Sequence, residues 1–424
     1  MDGIAFLVIG IIGFLAYSFS TKNKEDEFFQ EVATSLRLTY DKGGFWDPAR
    51  ITGSIDGCTI EIRKINRNKK DFFETTARKG AEIPSYINIG RETGFTKMQR
   101  MMGIKDIETG DPDFDDEIQL QAIYPQSLVA MLDDQTRKAI LILASQSEFF
   151  NVINSAVTAA VQKKMDSAPL TVVGLAKYVV AVTVALANTE SLVERFSKNI
   201  ESDPLPRVRI NNIRALTSHS TDKAAIDIIL KKALDNSCLD VQVEAAKYLG
   251  KEGLEHLVHL LVSRGNNLKS YLLIDIVKIL TEKRFTKSIP VLQQLYPHQG
   301  NEIRKNILRA FAVFGDTSLH SFLLVELEKN NPDFLEVLID ALGTCGEVDA
   351  VEKLYVIGND RFNPFFRSRV KDAIARIQSR LGKVEKGWLS VSQLQEADGA
   401  LSMADMAGEG ALSTPLNTEK DKGN

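Results

Sequence analysis

Residues 203–216 (DPLPRVRINNIRAL), 235–253 (DNSCLDVQVEAAKYLGKEG), 301–319 (NEIRKNILRAFAVFGDTSL) and 331–351 (NPDFLEVLIDALGTCGEVDAV) share one pattern: a polar turn, an apolar helix, a short break and a second helix. Leu216, Leu249, Leu280, Phe314, Leu342 and Ile377 mark equivalent places near the ends of successive first helices, 33, 31, 34, 28 and 35 residues apart. Such spacing is the signature of a repeat array. A helical pair of this size cannot bury its apolar face alone, so neighbouring pairs must stack and share a continuous core. The stretch therefore predicts an all-α solenoid of about six repeats over residues 203–385.

The period fits tetratricopeptide repeats, but the Trp, Gly, Tyr and Pro positions of that family are missing, and so is the TPLHxA signature of ankyrin repeats. VQVEAAKYLG at residues 241–250 most closely resembles the short HEAT repeats of phycobilisome-lyase-like proteins. The resemblance implies a fold and a binding surface, and names no reaction. Iron-dependent hydroxylases built on HEAT repeats carry recurring His-Glu dipeptides; this chain has only Glu255-His256, in reversed order.

Upstream, residues 4–19 (IAFLVIGIIGFLAYSF) hold no charge, and with Gly3 and Ser20 they make about 18 residues, or roughly 27 Å of helix against a hydrocarbon core of about 30 Å. The sequence begins Met-Asp-Gly rather than with a basic segment, and Ser-Thr-Lys-Asn-Lys follows instead of a small-residue cleavage site. These features favour a membrane anchor over 1–24 rather than a cleaved signal. Lys22 and Lys24 on one flank and Asp2 on the other direct the body to the cytoplasmic side of the inner membrane.

Residues 25–145 predict an α+β domain. Phe28, Phe29, Val32, Ala33 and Leu36 have helical spacing. ARITGSIDGCTIEIRKI alternates around Asp56-Gly57, a dipeptide that accepts the positive φ of a two-residue hairpin turn. Further strands are expected over 85–89 and 117–123, then a helix over 127–138 and an apolar strand over 139–143. With TGDPDFDDEIQLQ and LDDQTRKAILIL, this arrangement resembles a domain that follows the single membrane helix of uncharacterised bacterial envelope proteins. Asp111, Asp113 and Asp115 alternate as in a calcium loop, but Asp116 and Ala122 stand where an EF-hand needs Gly and Glu. A turn with Phe114 facing inward is the simpler expectation.

Residues 146–202 read as a helical linker and solenoid cap. Within them LTVVGLAKYVVAVTVALA (170–187) could span a membrane by hydropathy, but Lys177 opposes this. Val172, Leu175, Val179, Val182 and Leu186 form one seam, opposite Gly174, Lys177, Ala181 and Asn188. A buried helix with one wet stripe is expected.

The 424 residues are 44% hydrophobic and 25% charged, with a formal charge of -4 that supplies no global attraction for nucleic acid. Cys58, Cys238 and Cys345 are too far apart and too few for a zinc cluster or a disulfide framework. His256 and His259 could face one metal, but no third ligand is visible. The chain contains no GxSxG, phosphate loop, HExxH or GxGxxG, and no cofactor is implied. The last repeat is basic: Arg361, Arg367, Arg369, Lys371, Arg376, Arg380, Lys383 and Lys386 interleave with Phe362, Phe365 and Phe366. Arg367, Arg369, Arg376 and Arg380 form a candidate basic surface for lipid or an acidic partner. The 386–424 tail is too poor in large apolar groups to fold alone, yet it repeats a G-[WA]-L-S core three times. Leu389-Ser390, Leu401-Ser402 and Leu412-Ser413 are candidate protein-binding positions, weak singly and stronger by repetition. The expected function is that of a membrane-anchored scaffold for a protein partner rather than an enzyme. A cofactor-handling protein of the HEAT-like lyase type and a nucleic-acid-binding solenoid are the alternatives.

Overall fold

A computed structural model of the chain describes residues 23–381 apart from 45–46, 81–82, 85, 92–106, 164–167, 188, 220–221 and 360–363. The anchor over 4–19 and the tail positions Leu389, Ser390, Leu401, Ser402, Leu412 and Ser413 lie outside the described residues. So do Arg361, Phe362, Lys383 and Lys386. An eight-stranded antiparallel sheet with its helices comes first, and helices alone follow. The chain divides into two compact units, Met1–Leu257 and Val258–Asn424.

In the first unit, helix α1 (23–36) leads into strands β1 (Thr39–Asp41), β2 (Arg50–Ile55), β3 (Cys58–Arg67), β4 (Lys70–Arg78) and β5 (Ile87–Arg91). A one-and-a-half-turn helix, α2 (Pro112–Glu117), precedes β6 (Ile118–Ala122), α3 (Pro125–Met131) and α4 (Asp134–Gln146). Strands β7 (Phe149–Ile153) and β8 (Ala156–Gln162) complete a sheet of order β1-β2-β3-β4-β8-β7-β5-β6. Asp56 and Gly57 turn at φ +49° and +77°, as the dipeptide predicts. Asn68-Lys69 (φ +53° and +62°) and Asn154-Ser155 (+52° and +59°) make two more turns of the same length, each opened by an Asn that tolerates the left-handed region.

Two expectations about residues 139–162 are corrected. Residues 139–143 are helical, because Ala139–Leu143 continue α4 and only Ile140 and Leu143 are fully buried. A period of three to four residues, rather than two, governs that stretch. Residues 149–162 are strands rather than helix, so the sheet runs past 145. Phe72 packs edge-on against Phe149 with ring centroids 5.6 Å apart, while the Thr76 and Thr158 hydroxyls meet at 3.1 Å across the β4–β8 pair.

Helix α5 (Pro169–Leu186) buries the seam expected of it, with Lys177 and Ala181 exposed. It serves the sheet rather than capping the repeats: it packs on β3, β4, β8 and α4. Val172 through Ala187 share one apolar core with Phe29, Ile60, Phe73, Ile89 and Leu143. Each fully buried Val or Leu contributes about 1.5–3 kcal/mol. Among the described residues this is the one helix long and apolar enough to cross a membrane, and half of its span is buried in the protein.

Helices α6 (Leu192–Ser202), α7 (Pro206–His219), α8 (Lys223–Leu234) and α9 (Leu239–Ala246) follow, and α6 and α7 pack on α3. A true capping box, Ser191 with Glu194, starts α6. The acidic turn is structural here. Asp111 caps α2, and Asp115 accepts from the Thr109 and Gly110 amides, both at 2.9 Å. Phe114 is fully buried, as expected. Gly110, at φ +94°, lies so close to α7 that a Cβ there would stand 2.8 Å from the Arg207 carbonyl carbon.

Arg137 of α4 joins these parts. Its buried guanidinium donates to Asp111 Oδ2 at 2.8 Å, to the Leu132 carbonyl at 2.8 Å and to Asp203 Oδ2 at 2.9 Å. Burial pulls its pKa down, but the hydrogen bonds to Asp203 and Asp111 more than offset this and hold it above its ordinary value. Beside it, buried Asn199 donates to the Ala130 carbonyl and to Asn212 Oδ1, both at 3.1 Å.

The division between the units falls within α10 (Gly250–Arg264). The second unit continues with α11 (Ser270–Glu282), α12 (Ile289–Leu295), α13 (Asn301–Phe314), α14 (His320–Glu328), α15 (Pro332–Cys345), α16 (Val348–Gly358) and α17 (Arg367–Leu381). The first helices stack in series, α11 on α13, α13 on α15 and α15 on α17, while α14 packs on α15 and α16 on α17. Leu216, Leu280, Leu342 and Ile377 are fully buried and Leu249 nearly so. Phe314 is the exception: it is half-buried, and Phe311, one turn earlier, fills the core position. With Phe311 in place, residues 249, 280, 311 and 342 recur every 31 residues.

Replacing Arg137 with Met should cost about 3–5 kcal/mol in urea unfolding, because it strands the Asp203 carboxylate in a dry site. Asp203→Asn together with Arg137→Met should cost clearly less than the two single changes added.

Candidate interaction surface

Three of the four candidate arginines on α17 are committed within the fold. Arg369 pairs with Glu336 at 2.8 Å and Asp340 at 2.5 Å, both on α15, and Arg376 reaches the same Asp340 at 3.4 Å. Arg380 donates to the Thr344 and Gly346 carbonyls, which end α15 and have no partner within their own helix. Of the four candidate arginines, only Arg367 lies exposed with no carboxylate partner among the described residues. Nearby, Phe365 is 90% exposed and Phe366 half-buried. Three of these arginines thus hold α17 onto α15, and their partners lie 29 to 36 residues away. Local sequence gave no signal of those pairings.

The second helices of this unit expose a different surface. Val325 of α14 is 55% exposed, and Val348 and Val356 of α16 are 50% and 66% exposed. Residues 348 and 356 lie two turns apart on one helix face. The Lys353–Glu328 ion pair crosses from α16 to α14, one turn from Val356 and Val325 respectively. At the other end of the two helices His320 Nε2 meets Asp349 Oδ1 at 2.8 Å, and the Glu347 amide donates to His320 Nδ1 at 3.2 Å. That geometry assigns the proton to Nε2. The Lys353–Glu328 and His320–Asp349 pairs are thus closed, while the exposed carboxylate of Glu352 lies between Val348 and Val356 on the same helix.

Between the two helix layers, Arg304 lies 4.5 Å above the Tyr296 ring and 5.0 Å above that of Phe334, with Glu326 at 3.6 Å. Burial, reinforced by Glu326, pushes the Tyr296 phenol up to about 12. The pairing fixes α13 against α14 and offers no group at the surface.

In the first unit, a cleft of about 340 Å³ is lined by Lys79, Asp133, Thr136 and Lys198, and another of about 460 Å³ by Glu201, Arg209, Lys232 and Asn236. Several of their charged groups are occupied. Asp133 caps α4 through the Thr136 amide, and Lys198 faces Glu190. Lys232 pairs with Glu201 at 2.6 Å, and Arg209 donates to Asn236 at 3.0 Å. Of the two histidines with metal-like spacing, His256 shares a hydrogen bond with Gln242 at 3.1 Å, and His259 is exposed. Among the described residues no group of three or more His, Cys, Asp or Glu side chains is gathered to hold a metal ion. Cys58 and Cys345 are buried, Cys238 is half-buried, and all three are free thiols.

No protein-family model matches the chain, and no curated protein matches it.

Removing the shared carboxylate with Asp340→Ala should unmask Arg369 and Arg376. The full-length variant should then elute from a heparin column at measurably higher salt than the parent, whereas Glu302→Ala should elute unchanged.

Proposed function

We propose that the chain is a membrane-anchored scaffold whose second helices offer an apolar strip to a protein partner. Residues 4–19 supply the anchor, at the inner membrane with the body on the cytoplasmic side, and the helix pairs form an α-solenoid of the short HEAT type. The observation that carries this reading is the exposure of Val325, Val348 and Val356 on the second helices, flanked by the closed Lys353–Glu328 and His320–Asp349 pairs. A partner burying those side chains gains hydrophobic free energy without having to break an existing ion pair. The 31-residue recurrence of buried positions and the serial stacking of the first helices support the repeat assignment. In a solenoid each pair touches only its neighbours, so the outward residues are released from packing and can be specialised for contact.

The test is a crosslinked pull-down from the membrane fraction with the full chain and with Val325→Asp combined with Val356→Asp. These exposed changes should alter stability by no more than about 0.5 kcal/mol. Loss of a captured protein at unchanged melting temperature supports the strip. Retention of the same protein by the variant, with loss on ending the chain at Lys386, would transfer binding to the tail. Recovery of the full chain in the soluble fraction overturns the anchor.

A further inference from the structure

The hairpin formed by β3 and β4 is longer than the strands beside it. On one side β2 ends where Arg50 pairs with Arg63, so β3 continues four residues further, to Arg67. On the other side β8 ends where Gln162 pairs with Phe72, two residues short of Lys70. At about 3.3 Å per residue the tip projects roughly 13 Å beyond β2 and 7 Å beyond β8. Asn68 and Lys69 turn it, and Arg67 and Lys70 face each other across the last rung.

The cations of this region divide into two classes. Those on the body of the sheet are neutralised. Lys64 lies 3.2 Å from both Glu25 and Asp71, Lys163 lies 3.1 Å from Glu25, and Arg63 lies 2.8 Å from Glu74. Those at the tip are not. Arg67, Lys69 and Lys70 are exposed and have no carboxylate partner among the described residues. Arg67 holds its guanidinium 4.7 Å above the Phe149 ring, and the exposed carboxylate next along that strand is Glu148. Three cations thus share one projecting turn, with Asp71 beside them already held by Asn66 and Lys64.

The position of the tip gives this charge its use. Glu25, in the first turn of α1, bridges Lys64 and Lys163, so α1 begins at the same end of the sheet. Only residues 20–22 separate α1 from the uncharged 4–19 stretch, a reach of at most about 14 Å. Arg67 lies three residues beyond Lys64, about 10 Å along the strand. A chain leaving the bilayer at residue 20 therefore keeps this end of the sheet close to the headgroups, across a gap comparable with the length of the projecting tip.

We propose that the β3–β4 tip is a second membrane contact, a basic finger of Arg67, Lys69 and Lys70 that rests on anionic lipid headgroups beside the anchor. It holds the sheet domain on the bilayer at two points rather than leaving it to swing about one attachment. The inference rests on the reading of 4–19 as a membrane span, and its test separates the two.

The full chain carrying Lys69→Cys in a Cys238→Ser background takes a donor fluorophore at residue 69, since Cys58 and Cys345 are buried. It is reconstituted into phosphatidylcholine vesicles with an acceptor on the headgroups, with and without about one-third phosphatidylglycerol. Energy transfer should rise with phosphatidylglycerol, fall in about 0.5 M salt, and drop at least about twofold when Arg67→Glu and Lys70→Glu are added. Protein that floats with the vesicles but shows transfer indifferent to lipid charge and to both substitutions overturns the finger and leaves the anchor standing. Protein that fails to float overturns both. A charge-blind lipid signal together with a salt-sensitive shift of a single-stranded RNA probe, abolished by the same substitutions, would assign the tip to nucleic acid instead.

Discussion

Arg137 is a fully buried cation, and the layout of the first unit follows from satisfying it. Taking a guanidinium out of water is costly unless every donor finds an acceptor. The chain gathers its acceptors from three places: Asp111 at the head of α2, the carbonyl of Leu132 between α3 and α4, and Asp203 after α6. The sheet domain and the first helical pair are thereby tied through one side chain. Hydrophobic contact between α3 and α7 is non-directional, so it could be made at several offsets; the guanidinium fork accepts its carboxylates in few. The Asn199–Asn212 bond and the tight seat of Gly110 on α7 select the same offset. The helical run starts from a surface templated by the sheet domain.

Much of this fold was legible where the governing interaction is local. Asp56-Gly57 announces its hairpin because the turn depends on two residues. The helical run announces itself because its apolar residues keep helical spacing. Legibility fails where an interaction is distant or the pattern degenerate. Residues 139–143 are a continuous apolar run, and such a run fits a strand or a buried helix equally well; here the capping Asp133 and the length of α4 decide. The β7–β8 hairpin was missed although Asn154-Ser155 offers a turn signal, since β8 is Ala-rich and buried on both faces and so lacks clear alternation. Phe314 was placed one turn too late because two phenylalanines three residues apart both fit a helical stripe; only packing distinguishes them.

The charged residues show the same limit in a form that bears on function. Sequence presents α17 as a basic face, and folding consumes most of that face in holding α15. At the β3–β4 tip the reverse holds: in the unremarkable run INRNKKD the one acid, Asp71, is taken up by Asn66 and Lys64, and Arg67, Lys69 and Lys70 keep their charges. Likewise the valine strip becomes distinct only when the ion pairs around it are seen to be closed. In the proposed scaffold both surfaces follow from one rule: groups already paired within the fold are spent, and those left over are available to a partner.

The way α17 is fastened sets how the second unit would respond to mechanical load. Its first helices touch mainly their immediate neighbours in the series, so tension applied at Leu381 would not be shared across the whole unit. It would fall first on the Arg380 bonds to the Thr344 and Gly346 carbonyls and on the Arg369 and Arg376 grip of Asp340. Once those yield, α17 can peel away while α15 and α13 keep their own packing. The unit would therefore lengthen stepwise, one helical pair at a time, as a compliant tether rather than a brittle strut.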